Sequence, residues 1–257
     1  MKADAAEVPV AEILPRREDY RREMGCQILH DSFHRRPGWT RSFLLRWDGA
    51  VVGHGAVVVA GPWQGQSVIF EFHVTPAHRA HAAELFLCLA AASGATGVRA
   101  QTNDALPTAM LTAYGRDAAC EKVIFADRRT TALASPGAAL VRLDPPGEGT
   151  RGALGLEPAP GWALAHRDEI VAAGGVLWHY NRPYGDLYYE VAAAHRRQGL
   201  GSYLVQELKR ACREAGGIPC ARCDPANTAS VHTLLKAGFE PCGRLLEARL
   251  PPAGAGG

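Results

Sequence analysis

A chain of 257 residues, 47% apolar and 21% charged, suffices for one large domain or two of about 125 residues, each with a buried core. The formal net charge of +2 gives no argument for a nucleic-acid or anionic-membrane partner. No signal peptide opens the chain and no apolar run approaches the ~18 residues of a membrane span, so a cytoplasmic protein with reduced thiols is expected.

Residues 1–12 show no periodicity and are expected as a loose terminus. From 13 to 33 the pattern is helical, with Tyr20, Met24, Ile28 and Leu29 recurring opposite Arg, Glu and Asp. Strands at 42–47 and 51–60 flank Asp48-Gly49, a hairpin signal. Residues 61–65 turn the chain into a strand at 67–74. An Ala/Leu-rich helix at 79–93 stops at Gly94, followed by a strand at 98–102, a short helix at 107–114 and a strand at 122–125.

Ser135-Pro136-Gly137 marks a boundary, dividing the chain into 1–138 and 139–257. The second half starts with a strand at 139–143. Residues 144–161 are rich in Pro and Gly and are expected as loop. A hairpin at 162–166 and 170–180 turns on Arg167-Asp168-Glu169, and a further strand covers 186–191. The helix at 201–215 carries a buried stripe of Leu204, Leu208, Ala211 and Ala215. Gly216-Gly217 stops it; a strand at 220–223, a helix at 230–236 and a last strand within 239–250 complete the chain.

Between strand and helix lies Arg196-Arg197-Gln198-Gly199-Leu200-Gly201. A helix N-terminus presents unpaired N–H groups that favour a phosphate or pyrophosphate. Gly199 and Gly201 allow close approach and positive φ, and Arg196 and Arg197 add charge-assisted contacts. Taken alone, the turn reads more readily as an ordinary strand–helix connection. The seven cysteines are odd in number and scattered; Cys220-x-x-Cys223 is compatible with metal or redox chemistry, but without a second ligand pair it reads as buried strand cysteines. The segment VTPAHRAHAAE at 74–84 aligns with VAAAHRRQGLG at 191–201 at an offset of 117, and QTND at 101–104 with ARCD at 221–224 at an offset of 120, which reads as a tandem duplication.

The second half resembles the GNAT acyltransferase superfamily. Its CoA signature, Gln/Arg-x-x-Gly-x-Gly/Ala at a strand-to-helix turn, is matched by 196–201, and its second motif by Asn227 with Gly238-Phe239 closing the next helix. The resemblance covers about 162–245 well and the first half weakly. It implies an α/β fold of two tandem domains, each a mixed, mostly antiparallel sheet flanked by helices. It also implies acetyl-CoA as acyl donor, held by Val191, Ala193, Arg196, Arg197, Gln198, Gly199, Leu200, Gly201, Ser202, Asn227 and Ser230. In the family the strand before the turn splays from its neighbour and bonds the pantetheine amides. In the first half, Ala82 and Glu84 replace Gly199 and Gly201, and Pro107 replaces Asn227. A carboxylate beside a pyrophosphate repels it by roughly 1 kcal/mol in water and about 4 at an effective dielectric near 20. The first domain is therefore expected to keep the fold without binding CoA.

The expected activity is acetyl transfer to the amine of a small molecule, by a monomer or homodimer, with no nucleic-acid, membrane or metal partner. Such transfer needs a route for the amine proton and a donor for the oxyanion, which a backbone N–H near Val191 can supply. Some family members carry a carboxylate about six residues before the Val191 position; Gly185 stands there, and its neighbour Asp186 and the nearer Glu190 are the candidate bases, with His179 behind them. The tyrosine that many members use to protonate the thiolate is Leu234 here. Trp178, Tyr180, Tyr184, Tyr188 and Tyr189 crowd one hairpin, as sheet core or as an aromatic acceptor pocket. Residues 144–161 have the wrong composition for the helices that line the family's acceptor pocket, so that wall is expected from the first domain. A non-catalytic acyl-CoA-binding or sensing protein is the alternative.

Overall fold

The computed structural model describes residues 2–143, 160–167 and 169–251. Most of the expected 144–161 loop, and Asp168 of the expected 167–169 turn, lie outside these residues. Two compact units emerge: one spans Met1–Lys122 and Gly243–Gly257, the other Val123–Cys242. These bounds differ from the sequence division after residue 138, because two strand segments pair in the other half's sheet. Residues 123–126 pair antiparallel with 220–223, and residues 245–249 pair antiparallel with 97–101.

The first unit begins with β1 (Ala3–Val8), an edge strand where a loose terminus is expected. Its short alanines hide the alternation that marks a strand, yet Ala3 and Ala5 pack on the core. Helix α1 (Val10–Met24) ends nine residues before the periodicity suggests, since Gly25 takes φ 55° and caps it in the left-handed region. Ile28 and Leu29 are still buried, but beyond the helix. Strands β2 (Thr40–Trp47) and β3 (Ala50–Val58) close a hairpin on Asp48 and Gly49, both at positive φ as the mirror-image turn requires. Strand β4 (Val68–Val74), helix α2 (Ala82–Ser93), β5 (Gly97–Gln101) and α3 (Ala105–Tyr114) follow. The sheet order is β1-β2-β3-β4-β5, with residues 245–249 beside β5. Ala82, Leu85, Phe86, Leu89 and Ser93 recur at helical spacing on the buried face of α2, over Phe72 and Val98. Burying each large apolar side chain contributes about 1.5–3 kcal/mol.

The second unit receives the end of β6 (Arg116–Asp127), then β7 (Ala138–Arg142), β8 (Trp162–His166), β9 (Glu169–Leu177) and β10 (Tyr184–Val191). Helix α4 (Leu200–Glu214), β11 (Ile218–Cys223), α5 (Thr228–Lys236) and the start of β12 (Phe239–Arg249) complete it. Its order is β6-β11-β10-β9-β8-β7, antiparallel except for β10 beside β11. The buried face of α4 includes Leu200, Leu204, Val205, Leu208, Ala211 and Cys212; Ala215 lies past the helix and is exposed. Lys209, unremarkable in sequence, is buried: its ammonium meets Asp127 Oδ1 at 2.7 Å and donates to the carbonyls of Arg129 at 2.8 Å and Ala237 at 2.7 Å. Three partners satisfy three donors, which is what a buried lysine needs.

Candidate active site

Strands β10 and β11 run in parallel register for three pairs, ending at Asp186↔Cys220, while β10 continues beside β9 to Val191↔Ala172. Beyond Asp186 no register pair joins the two parallel strands, at the place where the resemblance implies a splay. Where β10 ends, a short 3-10 turn at Ala193–His195 leads to Arg196, Arg197 and the first turn of α4. Arg197 has φ 62° and Gly199 φ 83°, so two left-handed residues bend the backbone just before the helix. Such a bend costs a side-chain-bearing residue about 1–2 kcal/mol, and glycine almost nothing. The first helical bond runs from Tyr203 N to Gly199 O, so the N–H groups of Leu200, Gly201 and Ser202 face the helix end. At Gly201 a Cβ would meet Val191 Cγ2 at 3.3 Å and Thr233 Cγ2 at 3.4 Å, so strand, α4 and α5 crowd this point.

The predicted side chains have distinct partners. Arg196 folds back onto β10, donating from Nε to Val191 O at 3.1 Å and from a terminal nitrogen to Glu190 Oε1 at 2.8 Å. Gln198 donates to Ala194 O at 3.4 Å. Asn227 caps α5, its Oδ1 accepting from Ser230 N at 3.0 Å, a bond that does not use its amide NH2. Ser202 is buried at the α4 N-terminus.

Asp186, in the last of these register pairs, is buried and Oδ2 takes three neighbours: His179 Nε2 at 3.0 Å, Tyr180 hydroxyl at 2.9 Å and Arg222 Nε at 3.5 Å. Its Oδ1 has no hydrogen-bond partner. His179 is more open than the carboxylate, its side chain 27% exposed against 7% for Asp186. Sequence reading names Asp186 and His179 separately; the carboxylate–imidazole pair appears only when the β9–β10 connection folds over the strand. Burial, then the negative Asp186, pushes the Tyr180 phenol well above its ordinary range.

The aromatic cluster splits between two faces. Trp178 packs with Cys212 where Gly217 and Gly185 leave room, with the Arg182 guanidinium 4.3 Å from its ring centre. Tyr188 lies over Gly175, where a Cβ would meet its hydroxyl at 2.8 Å. Tyr189 points the other way, its hydroxyl 3.0 Å from Ser230 Oγ on α5, and burial raises its pKa. The Leu234 side chain is buried in the core of the unit. The phenol that approaches the second-motif helix thus comes from the strand, a pairing that no linear motif marks.

Both cysteines of the 220–223 pair are buried and in no disulfide, and the Cys220 thiol donates to Gly185 O at 3.2 Å. Among the described residues no group of three His, Cys, Asp or Glu is arranged to hold a metal ion, and no helix is long and apolar enough to cross a membrane.

The first unit repeats the scaffold without the turn. Strands β4 and β5 are in parallel register only at Val68↔Gly97 and Ile69↔Val98. Arg79 Nε donates to Val74 O at 3.2 Å, the bond that Arg196 makes to Val191 at the 117-residue offset. Here, however, residues 76–81 form a 3-10 turn, and Ala82, in place of Gly199, has φ −60°.

Residues 137–239 match the sequence model of the acetyltransferase (GNAT) family. None of the curated proteins matches the chain significantly by sequence. Among solved structures, a GNAT-family acetyltransferase from Colwellia psychrerythraea superposes with a TM-score of 0.74 at 14% identity, over 98% of this chain and 100% of that one. A tandem GNAT protein from the clavulanic acid biosynthesis pathway gives 0.62 at 16% identity over 100% of both chains. A GCN5-related N-acetyltransferase from Sphaerobacter thermophilus gives 0.60 at 15% identity, over 98% and 96%. At such identities the superpositions establish the fold. Residues 137–239 thus match the acetyltransferase (GNAT) family, and the chain as a whole has the fold of GNAT acetyltransferases, a tandem GNAT protein among them.

Proposed function

We propose that the second unit binds acetyl-CoA along β10 and the 196–201 turn and transfers the acetyl group to the amine of a small molecule. The observation that carries this reading is the end of the β10–β11 register at Asp186, followed by the left-handed bend at Arg197 and Gly199. Val191 and Ala193 line the pantetheine path, the N–H groups of Leu200, Gly201 and Ser202 receive the pyrophosphate, and Arg196, Arg197 and Gln198 flank it. Asn227 and Ser230 bound the other side. The setting is cytoplasmic, and the working form a monomer or homodimer.

In the reaction the amine nitrogen bonds to the acetyl carbon, the C–S bond breaks, and the amine loses one proton while the thiolate gains one. A backbone N–H of β10 stabilises the oxyanion. His179, held by Asp186, takes the amine proton; the buried Asp186 orients the ring and balances its charge. Glu190 is less available to the amine because Arg196 holds its Oε1. Tyr189, kept protonated by burial, is the nearest phenol for the thiolate. The alternative, a non-catalytic acyl-CoA-binding or sensing protein, draws support from that Glu190–Arg196 pair and from the buried Leu234. Thiol release from acetyl-CoA across a panel of small amines separates them: amine-dependent release supports transfer, and binding without release supports the alternative.

A further inference from the structure

The first unit holds a cavity of about 290 Å³ where β4 and β5 have parted, lined by α1, β4, the 76–81 turn and the start of α3. Met24, Phe72, Leu106 and Ala109 form its apolar wall, and Tyr20, Glu23, His73, Arg79, Asn103 and Asp104 its polar one. Asp104 is only 7% exposed, and its Oδ2 accepts the Tyr20 hydroxyl at 2.7 Å.

The other acidic groups in this neighbourhood already have cations. Glu71 on β4 takes Arg17 Nε at 2.9 Å, with His30, His34 and His54 around it at 3.1–3.4 Å. Glu23 on α1 takes Arg79 and, at 3.0 Å, His73. Among the described residues no cation pairs with Asp104. A buried carboxyl without a counter-charge either stays protonated or waits for a cation. An anionic ligand is disfavoured by Asp104 and Glu23, and the 76–81 turn lacks the left-handed bend of its counterpart. The volume lies at the small end of ligand pockets.

We propose that this cavity binds a small amine with an apolar body, its ammonium on Asp104 beside the Tyr20 hydroxyl and its hydrocarbon against Phe72, Met24 and Leu106. The assignment does not rest on acetyl transfer by the second unit. Burial, opposed by the Tyr20 hydrogen bond and reinforced by Glu71 and Glu23, raises the Asp104 carboxyl to about 7. Binding therefore requires its ionised form, while an alkyl amine stays protonated over the same range.

The test is calorimetric titration of the full chain with phenethylamine, against 2-phenylethanol and 3-phenylpropionate, which replace the ammonium by a neutral and an anionic group. Phenethylamine is expected to bind at least 10-fold more tightly than either. Its affinity is expected to rise about 10-fold from pH 6 to pH 8, as the competent fraction grows from about a tenth to nine-tenths. Asp104→Asn should weaken it 10-fold or more, and Leu106→Trp, which fills the cavity without changing charge, should abolish it. Acetyl-CoA titrated into the same variants reports on the second unit, and circular dichroism on folding. Equal binding of 2-phenylethanol, an unchanged dissociation constant in folded D104N, or no saturable phenethylamine binding at millimolar concentration would overturn the proposal. None of these results bears on the CoA site.

Discussion

Arg196 and Glu190 form an ion pair, with a guanidinium nitrogen 2.8 Å from Glu190 Oε1 and Nε of the same arginine on the carbonyl of Val191. The first residue of the turn is thereby tied to the end of the strand. A carboxylate oriented onto the turn in this way serves as a brace between strand and turn. Glu190→Gln should lower kcat no more than about 3-fold, whereas His179→Ala should lower it about 100-fold or more, the scale of a lost general base. Steady-state rates of amine-dependent thiol release decide between them; the reverse ranking would restore Glu190 as the base.

Gly199 sits at φ 83° at the mouth of the helix. Gly199→Ala should cost about 1–2 kcal/mol through backbone strain, and Gly199→Glu should weaken acetyl-CoA at least 10-fold further by repulsion. Both values come from calorimetric titration of acetyl-CoA. Unchanged affinity in the Glu variant would remove the turn from the CoA site.

Tyr189→Phe keeps the ring and deletes the hydroxyl that meets Ser230. If this phenol protonates the leaving thiolate, kcat should fall 10-fold or more, with little change in the KM for acetyl-CoA. A rise in KM at constant kcat would instead make it a binding residue.

Asp104 makes a pH prediction that is independent of any ligand. Its carboxyl is raised to about 7 in the folded state by burial, so the folded chain holds a proton that the unfolded chain has lost. Stability from this group is fully present below the unfolded value near 3.9 and is lost as pH rises through about 7. The melting-temperature advantage of D104N over the parent should grow between pH 5 and pH 7 and level off above. A constant difference would mean that Asp104 is ionised throughout.

The Glu71 hub should be intolerant of losing its cation. Arg17 and Glu71 are both fully buried, 2.9 Å apart. Arg17→Leu strands the Glu71 carboxylate among histidines and should cost about 3–5 kcal/mol, read from the urea midpoint. A loss below about 1 kcal/mol would show that the histidines suffice.

The turn at 196–201 and the elements around it were legible in sequence because their signals are local. Positive φ selects glycine at 199, helix N-termini select short polar caps such as Asn227, and hydrophobic spacing places α4. The same logic identified the repeat and the altered first turn, where Ala82 adopts ordinary helical torsions. Local logic failed where a signal was weak or interrupted: the alanines of β1 read as disordered, and Gly25 ended a helix that the spacing continued.

The sequence by itself determined the family resemblance, the two-fold repeat and the position of the turn, since backbone torsion and period are set within a few residues. Only the tertiary structure decided what the polar side chains do. It joined Asp186 to His179, Glu190 to Arg196 and Tyr189 to Ser230. It also gathered Arg17, Glu71 and three histidines into a buried hub and left Asp104 beside a cavity with no cation paired to it among the described residues. The preference of a charged group depends on which opposite charge reaches it and how much water is excluded, and both are set by strand pairing between residues far apart in the chain.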